Sequence, residues 1–281
     1  MGKRIKQRFP LLFIYLVLVI GLGVMGYPVV SNWLSVYTAS VSIADYNKVL
    51  EEEDTSALDE MMEEAKRYNE ALTGGSGDVS VAKYDDLLAV TEAIGYLEIP
   101  KLSVYMPIYH GVEEEVLAKG IGHIPDTSLP VGGESTHSVL SGHTGLPAAK
   151  ILTGLDRMEE GDLFFVHVLN EILAYEVDQI KVVLPEETDD IRIIPGEDHV
   201  TLLTCTPYGI NTHRLLVRGK RTEYVPEEVE IHGPSVIQLG KEIVPVRTIA
   251  IIAGIVAGAV ILAGILLILL LPGKRSRKRK E

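Results

Sequence analysis

The sequence contains 281 residues, 47% of them hydrophobic, and has a net charge of −13. Positive charge lies at the two ends: four basic residues within residues 1–8, and a net +5 over residues 274–281, which leaves −22 for the rest. An acidic body excludes the nucleic-acid binders, which present basic surfaces, so we expect no nucleic-acid partner. Length and hydrophobic content favour one medium-sized domain plus membrane segments.

Two long apolar segments predict membrane helices. Residues 9–30 and residues 248–271 contain no charged side chain, and each segment is long enough to cross a bilayer. The basic tails 1–8 and 272–281 flank them, so the positive-inside rule places both termini in the cytoplasm and the acidic domain outside the cell. The first segment also fits a cleaved signal peptide, because its apolar core is short and small residues follow it.

Residues 31–94 are predicted to be an extracellular helical segment. Apolar residues recur at helical spacing over residues 41–72, and the acidic run 51–54 indicates a solvated face or a junction between helices. A glycine-rich break at residues 73–78 follows, and residues 81–90 predict a short helix that leads into the next domain.

Residues 95–222 show short extended runs separated by Gly and Pro turns. The predicted strands are 95–102, 104–108, 138–141, 163–169, 172–184, 200–204 and 215–218. Many short strands with regular turns are typical of an all-β barrel. Residues 223–247 then form a linker to the second membrane segment.

The only cysteine, Cys205, follows the predicted strand 200–204. A lone cysteine is often a small core residue. Outside the cell, however, a thiol without a disulfide partner is exposed to oxidation, so a chemical role is favoured here. A protonated thiol is a weak nucleophile and needs a neighbouring group that favours the thiolate.

Arg214 is the candidate for that neighbouring group. Pro207, Gly209 and Asn211 predict a loop after Cys205, and the chain then resumes an extended run that returns Arg214, nine positions on, to the side of the thiol. A guanidinium there would favour the thiolate and hold a developing oxyanion. The alternative is an ion pair with a carboxylate, which is also how we interpret Arg218.

The proton carrier must be one of eight histidines. His143 lies in a Ser-Gly-His-Thr-Gly-Leu-Pro segment that directly follows a short apolar run, so a strand end would present its side chain. His110 and His123 lie near predicted turns and remain alternatives. His213 is disfavoured, because successive side chains of a strand face opposite ways and Arg214 would face the thiol. The residues alone give His143 a modest preference.

The motifs around these residues resemble those of class C sortases, which polymerise pilins in Gram-positive bacteria. The resemblance covers residues 95–219 and is carried by the Ser-Gly-His-Thr-Gly-Leu-Pro segment, the strand that ends in Thr-Cys-Thr-Pro-Tyr-Gly, and the following Asn-Thr-His-Arg-Leu-Leu-Val-Arg-Gly. It implies an eight-stranded barrel with short helices in its connections. It also implies that Cys205 is the nucleophile, His143 the proton carrier and Arg214 the oxyanion stabiliser.

One segment departs from the class C pattern. These sortases usually carry an Asp-Pro-aromatic lid motif before the barrel, whereas this chain has Gly77-Asp78-Val79-Ser80-Val81. Either Asp78 and Val79 form a variant lid, or the lid is missing.

The resemblance implies a membrane-anchored transpeptidase. It would cleave an LPXTG-like sorting signal of a pilin precursor through a thioester, and join the threonine carbonyl to a lysine amine of another pilin. The alternatives are a housekeeping sortase that uses a peptidoglycan precursor, a hydrolytic cysteine protease, and a non-enzymatic pilus-assembly scaffold. We expect no organic cofactor and no metal, because the acidic clusters at residues 113–115 and 186–190 are most simply solvated loops.

Overall fold

The chain forms two units, one comprising Ser31–Pro234 and the other comprising Met1–Val30 with Ser235–Glu281. The computed structural model describes residues 2–74, 84–144, 151–225, 236–239 and 242–245, together with three glycines at positions 254, 258 and 264. The predicted membrane helix at residues 248–271 therefore lies outside the described residues, apart from those glycines. The lid question at residues 77–81 also falls outside them.

The helices are α1 (Gly2–Glu52), α2 (Thr55–Leu72) and α3 (Glu114–Lys119), with single 3-10 turns at Pro100–Leu102, Leu155–Arg157 and Asp189–Ile191. Within α1, Tyr15–Glu52 is long and apolar enough to cross a membrane, with a mean hydropathy of 1.6 over its most apolar window. It is the single such helix among the described residues. The apolar segment predicted at residues 9–30 is therefore helical, and the helix continues well beyond it.

Eight strands form a closed barrel. They are β1 (Ala93–Ile99), β2 (Val104–His110), β3 (Ile121–His123), β4 (Thr136–Ser141), β5 (Leu163–Val168), β6 (Glu171–Val183), β7 (Asp198–Thr206) and β8 (His213–Thr222). Their order around the barrel is β1-β2-β3-β4-β7-β8-β6-β5, and β1 pairs with β5 to close it. The predicted all-β fold class, an eight-stranded barrel with an N-terminal helical segment, is thus confirmed. In the other unit, β9 (Val236–Leu239) pairs with β10 (Glu242–Pro245) within the predicted linker.

Seven of the strands were predicted to within a few residues, and β3 was not. It contains three residues, too few for a periodic pattern, and its middle residue is Gly122. A side chain at Gly122 would collide with the backbone carbonyl of Gly111, so the close approach of the chain requires glycine there. Pairing with β2 on one side and β4 on the other creates this strand.

The apolar face of each strand follows the alternation of a pleated sheet. In β7 and β8, Val200, Leu202, Leu215 and Val217 face the interior and belong to the main core cluster. Their neighbours along each strand face outward, and this outer face carries Cys205 and Arg214. The barrel interior therefore supplies a rigid base for side chains on that face.

Helix α2 packs against the main core through one apolar face. The side chain of Asp54 caps its first turn by accepting a hydrogen bond from the Ser56 N–H at 3.2 Å. The acidic run at residues 51–54 is thus a junction between two helices, one of the two interpretations that the sequence allowed. Asn69, 2% exposed, donates to the Leu129 carbonyl at 3.0 Å and accepts from the Leu129 N–H at 2.7 Å.

The end of α1 covers the outside of β1. Ile43 and Tyr46 are 1% exposed and pack with Tyr96 of that strand. The Tyr46 hydroxyl lies 3.3 Å from the Ile94 carbonyl and accepts the Leu169 N–H at 2.8 Å. This part of the long helix is consequently an integral part of the Ser31–Pro234 unit.

Candidate active site

The three candidate residues lie at one end of three neighbouring strands. Strands β4, β7 and β8 are adjacent in the barrel order. Cys205 is the second-last residue of β7, Arg214 the second residue of β8, and His143 lies two positions beyond the end of β4. All three side chains are half-buried. The ends of the strands thus present them together and leave them accessible.

Cys205 and Arg214 are direct cross-strand partners. Paired residues of an antiparallel ladder project from the same face of the sheet, with their Cβ atoms about 5 Å apart. The loop between them is a tight turn, in which the N–H groups of Ile210 and Asn211 both donate to the Pro207 carbonyl at 3.0 Å. The strand-loop-strand arrangement predicted for this stretch is therefore the one observed.

The guanidinium of Arg214 is held by backbone carbonyls. Its Nη1 donates to the carbonyl of Asn211 at 3.3 Å and to that of His213 at 3.1 Å. No carboxylate of the described residues forms an ion pair with it, whereas Arg218 makes a two-bond pair with Asp178 at 3.0 and 2.7 Å. The ion-pair interpretation thus holds for Arg218, and the charge of Arg214 stays available for an anionic ligand.

The backbone on both sides of His143 is fixed. The Gly142 N–H donates to the Leu203 carbonyl at 3.1 Å, and the His143 carbonyl accepts the Leu152 N–H at 3.0 Å. Strands β4 and β7 are parallel with Ser141 opposite Leu203, so extending the register by two residues brings His143 beside Cys205. The Nε2 of His143 is buried and has no hydrogen-bond partner among the described residues. Nδ1 of His110 is also buried without a partner, so it is the position beside Cys205, and not the missing hydrogen bond, that distinguishes His143.

The alternative histidines have structural partners. Nε2 of His110 contacts the Leu87 carbonyl at 2.7 Å. His123 is fully buried between the Tyr84 hydroxyl at 2.7 Å and the Ser128 carbonyl at 2.8 Å, and its burial lowers its pKa to about 4. His213 contacts the hydroxyl of Thr212 at 2.9 Å and precedes Arg214 on the strand. The strand register places none of these three histidines on the face of the sheet that carries Cys205.

Sequence reasoning did not single out Thr204. Its Oγ1 donates to the Gly142 carbonyl at 2.8 Å, which links the residues directly before Cys205 and His143. The two partners are 62 positions apart, and a threonine in a strand is ordinary, so no local signal indicates this contact. Among the residues that the structure describes, no cluster of His, Cys, Asp and Glu is arranged to hold a metal ion.

The comparisons with known proteins agree with this geometry. A family model for the sortase domain matches residues 97–222. Sortase D of Bacillus subtilis is 30% identical over 161 residues, which cover 56% of this chain and 78% of that protein. Sortase C of Streptococcus pneumoniae is 45% identical with a TM-score of 0.61, covering 65% of this chain and 97% of the solved structure.

A third similar protein is sortase C of Clostridium perfringens, solved with the C-terminal cell wall sorting motif. It is 45% identical, has a TM-score of 0.61, and covers 66% of this chain and 99% of that structure. The resemblance to class C sortases is thereby confirmed. The similarity to a curated sortase over most of its length and the eight-stranded barrel lead to one conclusion: the chain belongs to the sortase family of cysteine transpeptidases.

Proposed function

We propose that this sortase polymerises pilins: it cleaves an LPXTG-like sorting signal of a pilin precursor and joins the threonine carbonyl to a lysine amine of another pilin. The observation that carries the proposal is the cross-strand pair of Cys205 and Arg214 with His143 at the end of the adjacent strand. The similarity to the pneumococcal sortase C, whose crystal structure gave insights into pilin substrate specificity, supports a pilin as the class of substrate.

The first half-reaction forms a thioester. The Sγ of Cys205, as thiolate, attacks the carbonyl carbon of the substrate threonine, and Arg214 stabilises the oxyanion that develops on the carbonyl oxygen. Breakage of the peptide bond releases the amine of the following residue, and His143 donates the proton that this amine needs. The threonine carbonyl then remains bound to Sγ.

The second half-reaction transfers the acyl group. A lysine ε-amine of the acceptor attacks the thioester carbonyl, His143 takes the proton from the attacking nitrogen, and the thiolate leaves. The product is an isopeptide bond, and the enzyme returns to its starting state without a cofactor. Water in place of the amine would give the free acid, which is the reaction of the hydrolytic alternative.

The apolar N-terminal helix supports anchoring at a membrane. We infer that both termini are cytoplasmic and that the barrel is extracellular, because the basic residues flank the outer side of each apolar segment. An enzyme held in this way meets sorting signals as they emerge at the same membrane. Since sortases are transpeptidases, the non-enzymatic scaffold is no longer a competing candidate.

The test uses the full-length protein in detergent micelles with an LPXTG peptide, followed by mass spectrometry. Wild type should accumulate a thioester on Cys205, and Cys205→Ala should not. A peptide with a free lysine side-chain amine should convert the thioester to an isopeptide product. Triglycine, which imitates a peptidoglycan cross-bridge, should do so at least about tenfold more slowly, since one good amine-binding contact is worth that factor.

Preference for triglycine would contradict pilin polymerisation in favour of the housekeeping alternative. Release of the acid alone, even with excess amine, would favour a hydrolase. An LPXTG panel that gives no thioester with folded wild-type protein would contradict the proposed sorting signal.

A further inference from the structure

The carbonyl and the N–H of Gly142 are both bonded to strand β7. The N–H donates to the Leu203 carbonyl at 3.1 Å, which continues the parallel ladder one step beyond β4. The carbonyl accepts the hydroxyl of Thr204 at 2.8 Å. A side-chain hydrogen bond thus joins the two strands at the place where the β4 strand ends.

This hydrogen bond joins the two residues that directly precede the reacting residues in the sequence. Gly142 immediately precedes His143, and Thr204 immediately precedes Cys205. A shift of one strand relative to the other would therefore change the separation of the thiol and the imidazole directly. Proton transfer requires that separation to stay within hydrogen-bond reach.

The surroundings leave the contact little freedom. Thr204 is 3% exposed, so water does not compete for its hydroxyl. A Cβ on Gly142 would lie 2.8 Å from the Cγ of Leu152 and 3.0 Å from the Cδ1 of Ile121, which shows how closely the main chain approaches the interior. On the other side of His143, the Leu152 N–H bonds its carbonyl. His143 is consequently held from both directions.

Strand β7 contains a second buried threonine that provides a comparison. Thr201 is fully buried, and its hydroxyl lies 2.7 Å from the Nε2 of His137. The two threonines share the strand, the burial and a hydroxyl hydrogen bond of similar length. They differ in their partners. Thr204 bonds the backbone next to His143, whereas Thr201 bonds His137, which is adjacent in sequence to neither Cys205 nor His143.

We propose that Thr204 is a positioning residue, whose hydroxyl sets the geometry between the Cys205 thiol and the His143 imidazole by anchoring the Gly142 carbonyl. The inference rests on the roles of Cys205 and His143 in the proposed function. It assigns Thr204 no contact with the substrate. Loss of the hydroxyl should therefore slow the chemical step and leave substrate binding intact.

The experiment compares Thr204→Val, Thr204→Ser and Thr201→Val with wild type and His143→Ala, all as full-length protein in detergent micelles. The first measurement is the rate of alkylation of the single cysteine by iodoacetamide as a function of pH, which needs no substrate. The second is the single-turnover formation of the thioester with an LPXTG peptide at several concentrations. Thermal unfolding of each variant is recorded alongside.

For Thr204→Val we expect a thioester rate constant at least about tenfold lower, since a misplacement of the order of 1 Å can cost about a hundredfold. The half-saturating peptide concentration should stay within about twofold of wild type. Its alkylation profile should move toward that of His143→Ala. Thr204→Ser should restore the wild-type thioester rate constant and alkylation profile. Thr201→Val should lose thermal stability while keeping the wild-type rate constant and alkylation profile.

A wild-type rate and profile in Thr204→Val would overturn the inference, as would an equal loss of rate in Thr201→Val. Identical alkylation profiles in wild type and His143→Ala would show that no thiol–imidazole pair exists to be positioned, which rejects both proposals. If those profiles differ but no LPXTG peptide reacts, the substrate assignment fails and the alkylation data still decide the role of Thr204. If Thr204→Val does not fold, Thr204→Ser and Thr204→Ala, which differ in the hydroxyl alone, give the same comparison.

Discussion

The side chain of Arg214 is held in place by hydrogen bonds that leave its positive charge without a carboxylate partner. Its hydrogen bonds to the Asn211 and His213 carbonyls orient the guanidinium, and neither partner is anionic. Arg218, four residues along the same strand, is instead neutralised by Asp178. Because alternate residues of a strand share a face, both arginines project from the face of Cys205, but only the one at the strand end keeps a free positive charge.

We predict that Arg214→Lys lowers the rate constant of thioester formation by about a hundredfold, the usual cost of losing one oxyanion donor. Lysine keeps the charge but lacks the planar fork that reaches the two carbonyls and the oxyanion at once. Single-turnover kinetics with an LPXTG peptide measure the rate. Arg218→Lys is the matched control, and we expect it to react at the wild-type rate; an equal loss in both variants would argue against a specific role for Arg214.

At the scale of secondary-structure elements, contacts distant in sequence attach the N-terminal helices to the barrel. Asn69 of α2 satisfies both backbone groups of Leu129, a residue 60 positions away. The Tyr46 hydroxyl of α1 bridges the carbonyl of Ile94 in β1 and the N–H of Leu169, the residue after β5. The helices thus contribute buried surface to the domain core, which helical periodicity alone could not indicate.

We predict that Asn69→Ala destabilises the protein by about 2 kcal/mol, because the buried N–H of Leu129 loses its partner at a cost of about 1–3 kcal/mol. The Leu129 carbonyl keeps the N–H of Val131 at 2.8 Å. Urea unfolding followed by circular dichroism measures the change. Lys66→Ala on the same helix removes an exposed ion pair with Glu63 and should change stability by less than about 0.5 kcal/mol. A loss below about 1 kcal/mol in Asn69→Ala would contradict this account of how α2 is held.

At the scale of the whole molecule, stability should depend on pH through buried neutral histidines. His123 accepts from the Tyr84 hydroxyl and donates to the Ser128 carbonyl, and His137 makes an equivalent pair of bonds to Thr201 and to the Arg192 carbonyl. Burial lowers the pKa of each to about 4, against an ordinary value of 6.5. Between pH 4 and pH 6.5, each of these histidines is therefore protonated in the unfolded chain and largely neutral in the folded protein.

It follows that the contribution of these histidines to the free energy of unfolding is fully present above about pH 6.5. It falls as the pH decreases toward 4, where the two histidines also become protonated in the folded protein. Each histidine should contribute a loss of about 2 kcal/mol between pH 7 and pH 5. Urea unfolding at the two pH values tests this: the difference should shrink by that amount in His123→Gln, which cannot titrate. If that variant does not fold, His137→Gln serves instead, and an unchanged pH dependence would contradict the prediction.

The motifs around Cys205 and His143 were enough to predict the family and, through the resemblance, an eight-stranded barrel. Regular alternation and turn residues located seven of its strands but not β3. The loop after Cys205 could be predicted as well, since Pro207, Gly209 and Asn211 favour turns, and a short loop can only return the chain alongside the strand it left. Local chemistry was therefore sufficient for this loop, whose ends, Cys205 and Arg214, are nine positions apart in the sequence.

Features that depend on contacts between residues distant in the sequence could be found only in the tertiary structure. Short strand β3 exists because β2 and β4 pair with it, and the partners of His110 and His123, the Leu87 carbonyl and the Tyr84 hydroxyl, lie 23 and 39 positions away. The bond from Thr204 to Gly142 joins residues 62 positions apart. Such pairs carry no periodic signal, because their proximity arises from closure of the barrel and not from the local preferences of the chain.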